Sequence, residues 1–102
     1  MIKQYFLKLP EDFFRQKRIK KLRKHAGGDT YTIIYIKLLM YVAKHDYRLL
    51  TENEDWEEIA SEINEQPINV ESTIERLLTL GLALKKDKEI IFKNPMGNNA
   101  YG

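Results

Sequence analysis

The segment from Trp56 to Phe92 constrains the fold more than any other part of the chain. Trp56, Ile59, Ala60 and Ile63 stand at i, i+3, i+4 and i+7, the spacing of one apolar helix face. Asn64-Glu65-Gln66-Pro67 follows as a turn, because proline cannot continue the helix before it. Val70, Ile74, Leu77 and Leu78 then mark a second helix, with Asn69 as its candidate N-cap. Gly81 is placed to end that helix in a left-handed conformation, with Leu82 folding back onto the last turn. Leu82-Ala83-Leu84-Lys85 and Glu89-Ile90-Ile91-Phe92, separated by Lys86-Asp87-Lys88, read as a β-hairpin. Leu49-Leu50 is a candidate third strand. Helix, short turn, helix, glycine and hairpin, in that order, predict a winged helix-turn-helix. The fold class expected is therefore mostly α with a small β wing. The competing expectation is a small α+β domain with no role on DNA.

Upstream, Tyr5, Leu7 and Leu9 alternate with Phe6 and Lys8, which predicts an extra N-terminal strand stopped by Pro10. Phe13, Phe14, Ile19 and Leu22 give a narrow apolar stripe on a helix ending near His25. Gly27-Gly28 breaks the chain, and Asp29 is placed to cap the next helix, Thr30 to about His45. That helix is apolar almost all round, from Tyr31 through Ile33, Ile34, Tyr35, Ile36, Leu38, Leu39, Met40 and Tyr41 to Val42. Such a helix is central to a core or shared with a partner chain. The β-branched run Thr32-Ile33-Ile34 leaves a strand open as the alternative. Residues 94–102 lack periodicity and read as a linker or tail, which places the domain at residues 1–93.

A chain of 102 residues is the size of one domain. The absence of cysteine excludes disulfides, thiol nucleophiles and thiolate metal sites, and fits a reducing cytoplasm. The first ten residues lack the apolar core of a secretory signal, and no apolar run approaches the roughly 20 residues that span a bilayer. A cytoplasmic, nucleoid-associated location in a bacterial host cell is expected.

The net charge of +2 conceals a strong asymmetry. Residues 1–25 carry nine Lys and Arg against Glu11 and Asp12, whereas residues 46–75 carry ten Asp and Glu against Arg48 alone. The densest basic run is Arg15, Lys17, Arg18, Lys20, Lys21, Arg23 and Lys24, seven cations in ten positions. It fits a polyanion partner, because cations that neutralise phosphates release condensed counterions. A merely solvated helix face is the alternative.

A catalytic constellation is missing. His25 and His45 lack a spaced carboxylate or second ligand and suit helix ends. Neither a zinc site nor the alternating carboxylates of a calcium loop can be assembled. Gly27-Gly28-Asp29-Thr30 lacks the lysine and full spacing of a nucleotide-binding loop. No enzymatic activity, cofactor or metal is expected.

The run Tyr5-Phe6-Leu7-Lys8-Leu9, then Asp12-Phe13-Phe14, Ile19-Lys20-Lys21-Leu22-Arg23 and Gly27-Gly28-Asp29-Thr30-Tyr31-Thr32-Ile33-Ile34-Tyr35, resembles the N-terminal domain of phage replisome organisers. Related domains occur in plasmid replication initiators and DnaD-like primosome proteins. Glu57-Glu58-Ile59-Ala60, Val70, Thr73-Ile74, Leu77 and Leu80-Gly81-Leu82 fit the same pattern, so the resemblance covers residues 3 to about 93. It implies a winged-helix domain that binds double-stranded origin DNA, self-associates as a homodimer or higher oligomer, and helps recruit the replicative helicase or its loader. It also implies a further C-terminal region.

In a helix-turn-helix the second helix enters the major groove with its N-terminal residues facing base edges. Asn69, Ser72, Thr73 and Arg76 are the candidates there, Asn69 for adenine and Arg76 for guanine or phosphate. Lys85, Lys86 and Lys88 on the wing would reach an adjacent phosphate or the minor groove, and Arg15 to Lys24 would supply further phosphate contacts. Glu71 and Glu75 on the same helix oppose this assignment. The alternative they favour is an assembly module of a primosome scaffold whose DNA binding is non-specific. Tyr31, Tyr35, Tyr41 and Tyr47 invite a single-strand stacking role, but three of them lie in the apolar helix and suit packing better. Self-association is assigned to that helix and the N-terminal strand, through Tyr5, Leu7, Tyr31, Tyr35 and Leu39.

Overall fold

The computed structural model describes residues 7–50 and 56–96. A 3-10 turn at Phe13–Arg15 leads into α1 (Lys17–Lys24) and α2 (Gly28–Ala43), followed by β1 (Arg48–Leu50). Helices α3 (Trp56–Ile63) and α4 (Pro67–Leu80) and strands β2 (Ala83–Lys86) and β3 (Glu89–Phe92) complete the order. The architecture is mostly helical with one small antiparallel sheet, as the spacing of Trp56 to Phe92 predicts for a winged helix.

The helix at the centre is α2, which packs against α1, α3, α4 and β1. Its Ile34, Tyr35, Leu38, Leu39 and Val42 are buried and meet Ile19 and Leu22 of α1, Ile59 of α3, and Val70, Ile74 and Leu77 of α4 in one core. Lys37 donates to Glu65 at 2.6 Å, which ties α2 to the turn between α3 and α4.

Two turns close by the same device. Asn64 takes a left-handed φ of 58° after α3, with Glu65 N donating to Ala60 O and Asn64 N to Ser61 O. Gly81 does the same after α4 at φ 74°, with Leu82 N donating to Leu77 O and Gly81 N to Leu78 O. These paired bonds satisfy the last helix carbonyls and turn the chain sharply. Leu82 is thereby buried against the core, and β2 begins one residue later.

The sheet has the order β1-β3-β2, so the hairpin partner β3 lies in the middle. Leu49 pairs with Ile90 on one side, and Lys85 pairs with Ile90 on the other. The two-residue tip is Asp87-Lys88, with Asp87 at φ 53°. Leu49, Ala83, Ile90 and Phe92 deliver the sheet's contribution to the core. Phe92 N also donates to Tyr47 O, extending the β1 edge by one bond.

Four expectations are corrected. Leu7 to Pro10 form no strand, and Tyr5 lies outside the described residues. Leu7 and Leu9 instead pack, partly buried, against the core. The helix expected across Phe13 to His25 is interrupted at Gln16, which is extended at ψ 140°. The break lets Phe13 turn into the core and stack on Tyr35 at 6.2 Å while Phe14 stays outside. Asp29 is not the cap of α2. Gly27 holds that position at φ 78°, the helix starts at Gly28, and Asp29 sits in the first turn. Asn69 is not the cap of α4 either. Gln66 is, with Pro67 as the first helical residue, where the missing N–H costs nothing.

Candidate nucleic-acid interface

Only Ile19 and Leu22 of α1 face the core, so every cation of that helix projects outward. Lys17, Arg18, Lys20, Lys21, Arg23 and Lys24 are all exposed, as is Arg15 in the turn before them. Among the described residues Arg23 alone of these reaches a carboxylate, donating from Nε to Asp29 at 3.1 Å. That pair is open to water on both sides and contributes little. Lys17 and Lys21, and Lys20 and Lys24, stand four residues apart on one helix. Like charges at that spacing cost a few tenths of a kcal/mol each. The arrangement lowers the stability of α1, and a bound polyanion would relieve it.

Helix α1 lies beside α4 and runs antiparallel to it. At one end the Arg18 guanidinium comes to 3.7 Å from where a Cβ on Gly81 would sit. At the other end His25, with Tyr31, lines a hollow of about 240 Å³ together with Ser72, Glu75 and Arg76. Arg18 therefore sits at the C-terminal end of the reading-helix candidate, whereas Lys20, Arg23 and Lys24 line a separate hollow with Phe14 and Asp29.

On α4, Val70, Thr73, Ile74 and Leu77 are buried. Thr73 is 0% exposed and its Oγ1 donates to Asn69 O at 2.7 Å, which removes it from the DNA-contact candidates. Its position gives the reason: it is the i+3 member of the stripe Val70, Thr73, Ile74, Leu77. Asn69, Ser72 and Arg76 are half-buried at the edge of that stripe, and Glu71 and Glu75 are exposed beside them. Ile68, in the first turn, is 71% exposed, a feature that periodicity did not single out. Lys85, Lys86 and Lys88 are exposed at the wing.

The residues assigned to self-association separate. Tyr35 and Leu39 are core residues, at 2% and 0% exposure, and offer nothing to a partner. Leu7 is half-buried against the core, and Tyr31 is half-buried beside His25, ring centroids 5.9 Å apart. The exposed apolar residues of α2 are Ile33 and Met40. A helix apolar on all sides gives no periodic signal from which to phase its outer face.

Three further acidic residues lie on α3. Glu57, Glu58 and Glu62 of α3 are exposed, and α3 packs on α2 and α4. Among the described residues no helix is long and apolar enough to cross a membrane, and no cluster of three His, Cys, Asp or Glu side chains could hold a metal.

No curated protein and no solved structure gives a significant match to the chain. A family model does, that of the N-terminal phage replisome organiser, over residues 6–99. The match takes in α1, the helix-turn-helix of α3 and α4, and the hairpin, so the basic helix and the wing belong to one inherited unit. The chain belongs to the family of N-terminal phage replisome organiser domains, a replication-related family of organiser type.

Proposed function

We propose that the domain binds double-stranded origin DNA in phage or plasmid replication initiation, with α4 at the base edges and α1 and the wing on flanking phosphates. The observation that carries this is the antiparallel placement of α1 beside α4. Arg18 of α1 lies against the C-terminal end of α4 at Gly81, and His25, just past the end of α1, lines a hollow with Ser72, Glu75 and Arg76. Glu71 would accept from a cytosine amino group, a pairing that a carboxylate can make in the major groove. Lys85, Lys86 and Lys88 would grip the backbone next to the reading helix.

Homodimerisation and recruitment of the helicase machinery belong to the same proposal. A second copy would meet α2 around the exposed Met40, where Lys37, Tyr41, Lys44, Glu62 and Ile63 line a hollow of about 250 Å³. A basic partner protein would meet Glu57, Glu58 and Glu62 of α3.

The second reading is an assembly module with non-specific DNA binding, favoured by the exposure of Glu71 and Glu75 on α4. Fluorescence anisotropy at near-physiological salt separates the two, using duplexes tiled across the protein's own gene and flanking DNA against a scrambled control. A tile bound at least about a thousandfold more tightly than the control supports origin recognition. Uniform weak binding to every tile supports the assembly module.

A further inference from the structure

Phe14 is a large aromatic residue left half exposed, at 50%, in the middle of the basic surface. Its neighbours fix it firmly. Phe13 meets it edge-on at 5.0 Å between ring centroids, and Phe13 is itself stacked on the buried Tyr35. The Arg23 guanidinium lies over the Phe14 ring, 5.9 Å from its centroid, and is held there by Asp29. An aromatic ring with a fixed orientation and an open side is a stacking platform, and it is set there by the same break at Gln16 that sends Phe13 inward.

Two hollows meet at Phe14, Arg23 and Asp29, and their chemistry differs. One, of about 340 Å³, is completed by Lys20 and Lys24. The other, of about 410 Å³, is completed by Thr32, Ile33 and Ile36. The first has cations without a carboxylate partner among the described residues, Lys20 and Lys24, and suits a phosphate. The second has Ile33, 54% exposed, and Ile36 beside the Phe14 ring, and suits a flat apolar group. Asp29 lines both hollows and is paired with Arg23, so what distinguishes the first for an anion is Lys20 and Lys24. A phosphate and a flat ring joined at short distance are what one nucleotide of a single strand presents.

We propose that Phe14, Arg23, Lys20 and Lys24 form a site for single-stranded DNA, with one unpaired base stacked at Phe14 against Ile33 and Ile36 and its phosphate on the lysines. A duplex cannot use this site fully, because its bases are already stacked in pairs and withheld from Phe14. Base–aromatic stacking is tolerant of sequence, since every base has a π-face, so the preference is for an unpaired strand and not for a motif. The site shares the α1 lysines with the proposed duplex contacts but goes beyond base reading by α4, because Phe14 serves only an unpaired strand.

The test compares three probes by anisotropy: an oligothymidylate of about 12 nucleotides, an abasic oligonucleotide of the same length, and a duplex. The wild-type domain should bind the oligothymidylate more tightly than the abasic strand by about five- to a hundredfold, the range of one stacked base. Phe14→Ala should remove most of that difference and leave duplex binding unchanged, whereas Phe14→Tyr should retain it. Phe14→Trp should show quenching of the new indole on adding oligothymidylate and none on adding the abasic strand, measured against the parent protein carrying Trp56. Equal binding of abasic and thymidylate strands by the wild type would overturn the proposal. So would an equal loss on all three probes in Phe14→Ala, or a change confined to its oligomeric state, which would make this face a contact between copies. Failure of the duplex to show sequence preference bears on α4 alone and leaves these outcomes intact.

Discussion

Gly28 packs so closely under α1 that a Cβ added to it would lie within covalent-like range of the Arg23 carbonyl, with backbone atoms on both sides of the clash. The contact brings the last turn of α1 onto the first turn of α2, and Thr32 Oγ1 donates back to Gly28 O at 2.7 Å to complete the junction. The same junction positions Arg23 to reach Asp29, and His25 to face α4. The two adjacent glycines thus answer different demands: Gly27 supplies a left-handed φ of 78°, and Gly28 supplies the absence of a side chain.

That difference is measurable. Gly27→Ala should cost about 1 kcal/mol, the penalty of a left-handed alanine. Gly28→Ala should cost about 3 kcal/mol or more, since backbone on backbone cannot yield as a side chain would. Urea unfolding followed by circular dichroism gives both values, and equal losses would contradict the packing described.

Thr73 and Arg76 should separate stability from DNA recognition. Thr73→Ala removes a buried methyl and hydroxyl, so it should lower stability by about 1–2 kcal/mol and leave site discrimination unchanged. Arg76→Ala and Asn69→Ala should leave stability nearly intact and reduce the ratio of cognate to scrambled binding. A loss of discrimination from Thr73→Ala at temperatures well below its unfolding would contradict the burial of that residue.

Lys20→Ala combined with Lys21→Ala should weaken every duplex alike. If both lysines contact phosphate, the slope of log K against log salt should become shallower by about 2, near 0.9 per phosphate lost. An unchanged slope would place the DNA elsewhere than α1.

Tyr47 gives a prediction in pH. Its backbone is left-handed at φ 60°, its ring packs partly into the core, and burial raises its pKa above the ordinary 10.0. The folded state therefore keeps the phenol proton at a pH where the unfolded chain has released it. The associated stability is fully present below about pH 10 and is lost as pH rises through the folded value. Tyr47→Phe should show a smaller decline in urea midpoint than wild type between about pH 8 and about pH 11. Parallel declines would contradict it.

The parts of the fold that the sequence makes legible are those with a period or a punctuating residue. Ile59 and Ile63, Val70 and Ile74, Gly81 and the pairing of Leu49 with the hairpin all follow from spacing and turn chemistry. The polarity of Thr73 points to the DNA face, yet i+3 from Val70 places it in the buried stripe, and the spacing prevails. The outer face of α2 was not legible: with apolar residues on every side, only packing against α1, α3 and α4 decides that Ile34 and Leu38 go in while Ile33 and Met40 stay out. Phe13 and Phe14 are chemically equal in the sequence, and the extended Gln16 alone sends one to the core and the other to the surface. The packing of α1 along α4 is likewise a tertiary contact, which no local pattern in Lys17 to Lys24 encodes.

The most direct test of the account is a titration of the isotopically labelled domain with cognate duplex, followed residue by residue through backbone amide shifts. The account predicts that the largest changes fall together on Lys17 to Lys24, on Asn69 to Arg76 and on Lys85 to Lys88, with Glu57, Glu58 and Glu62 of α3 unaffected. Changes centred on α3, or spread over α1 with none on α4, would contradict it.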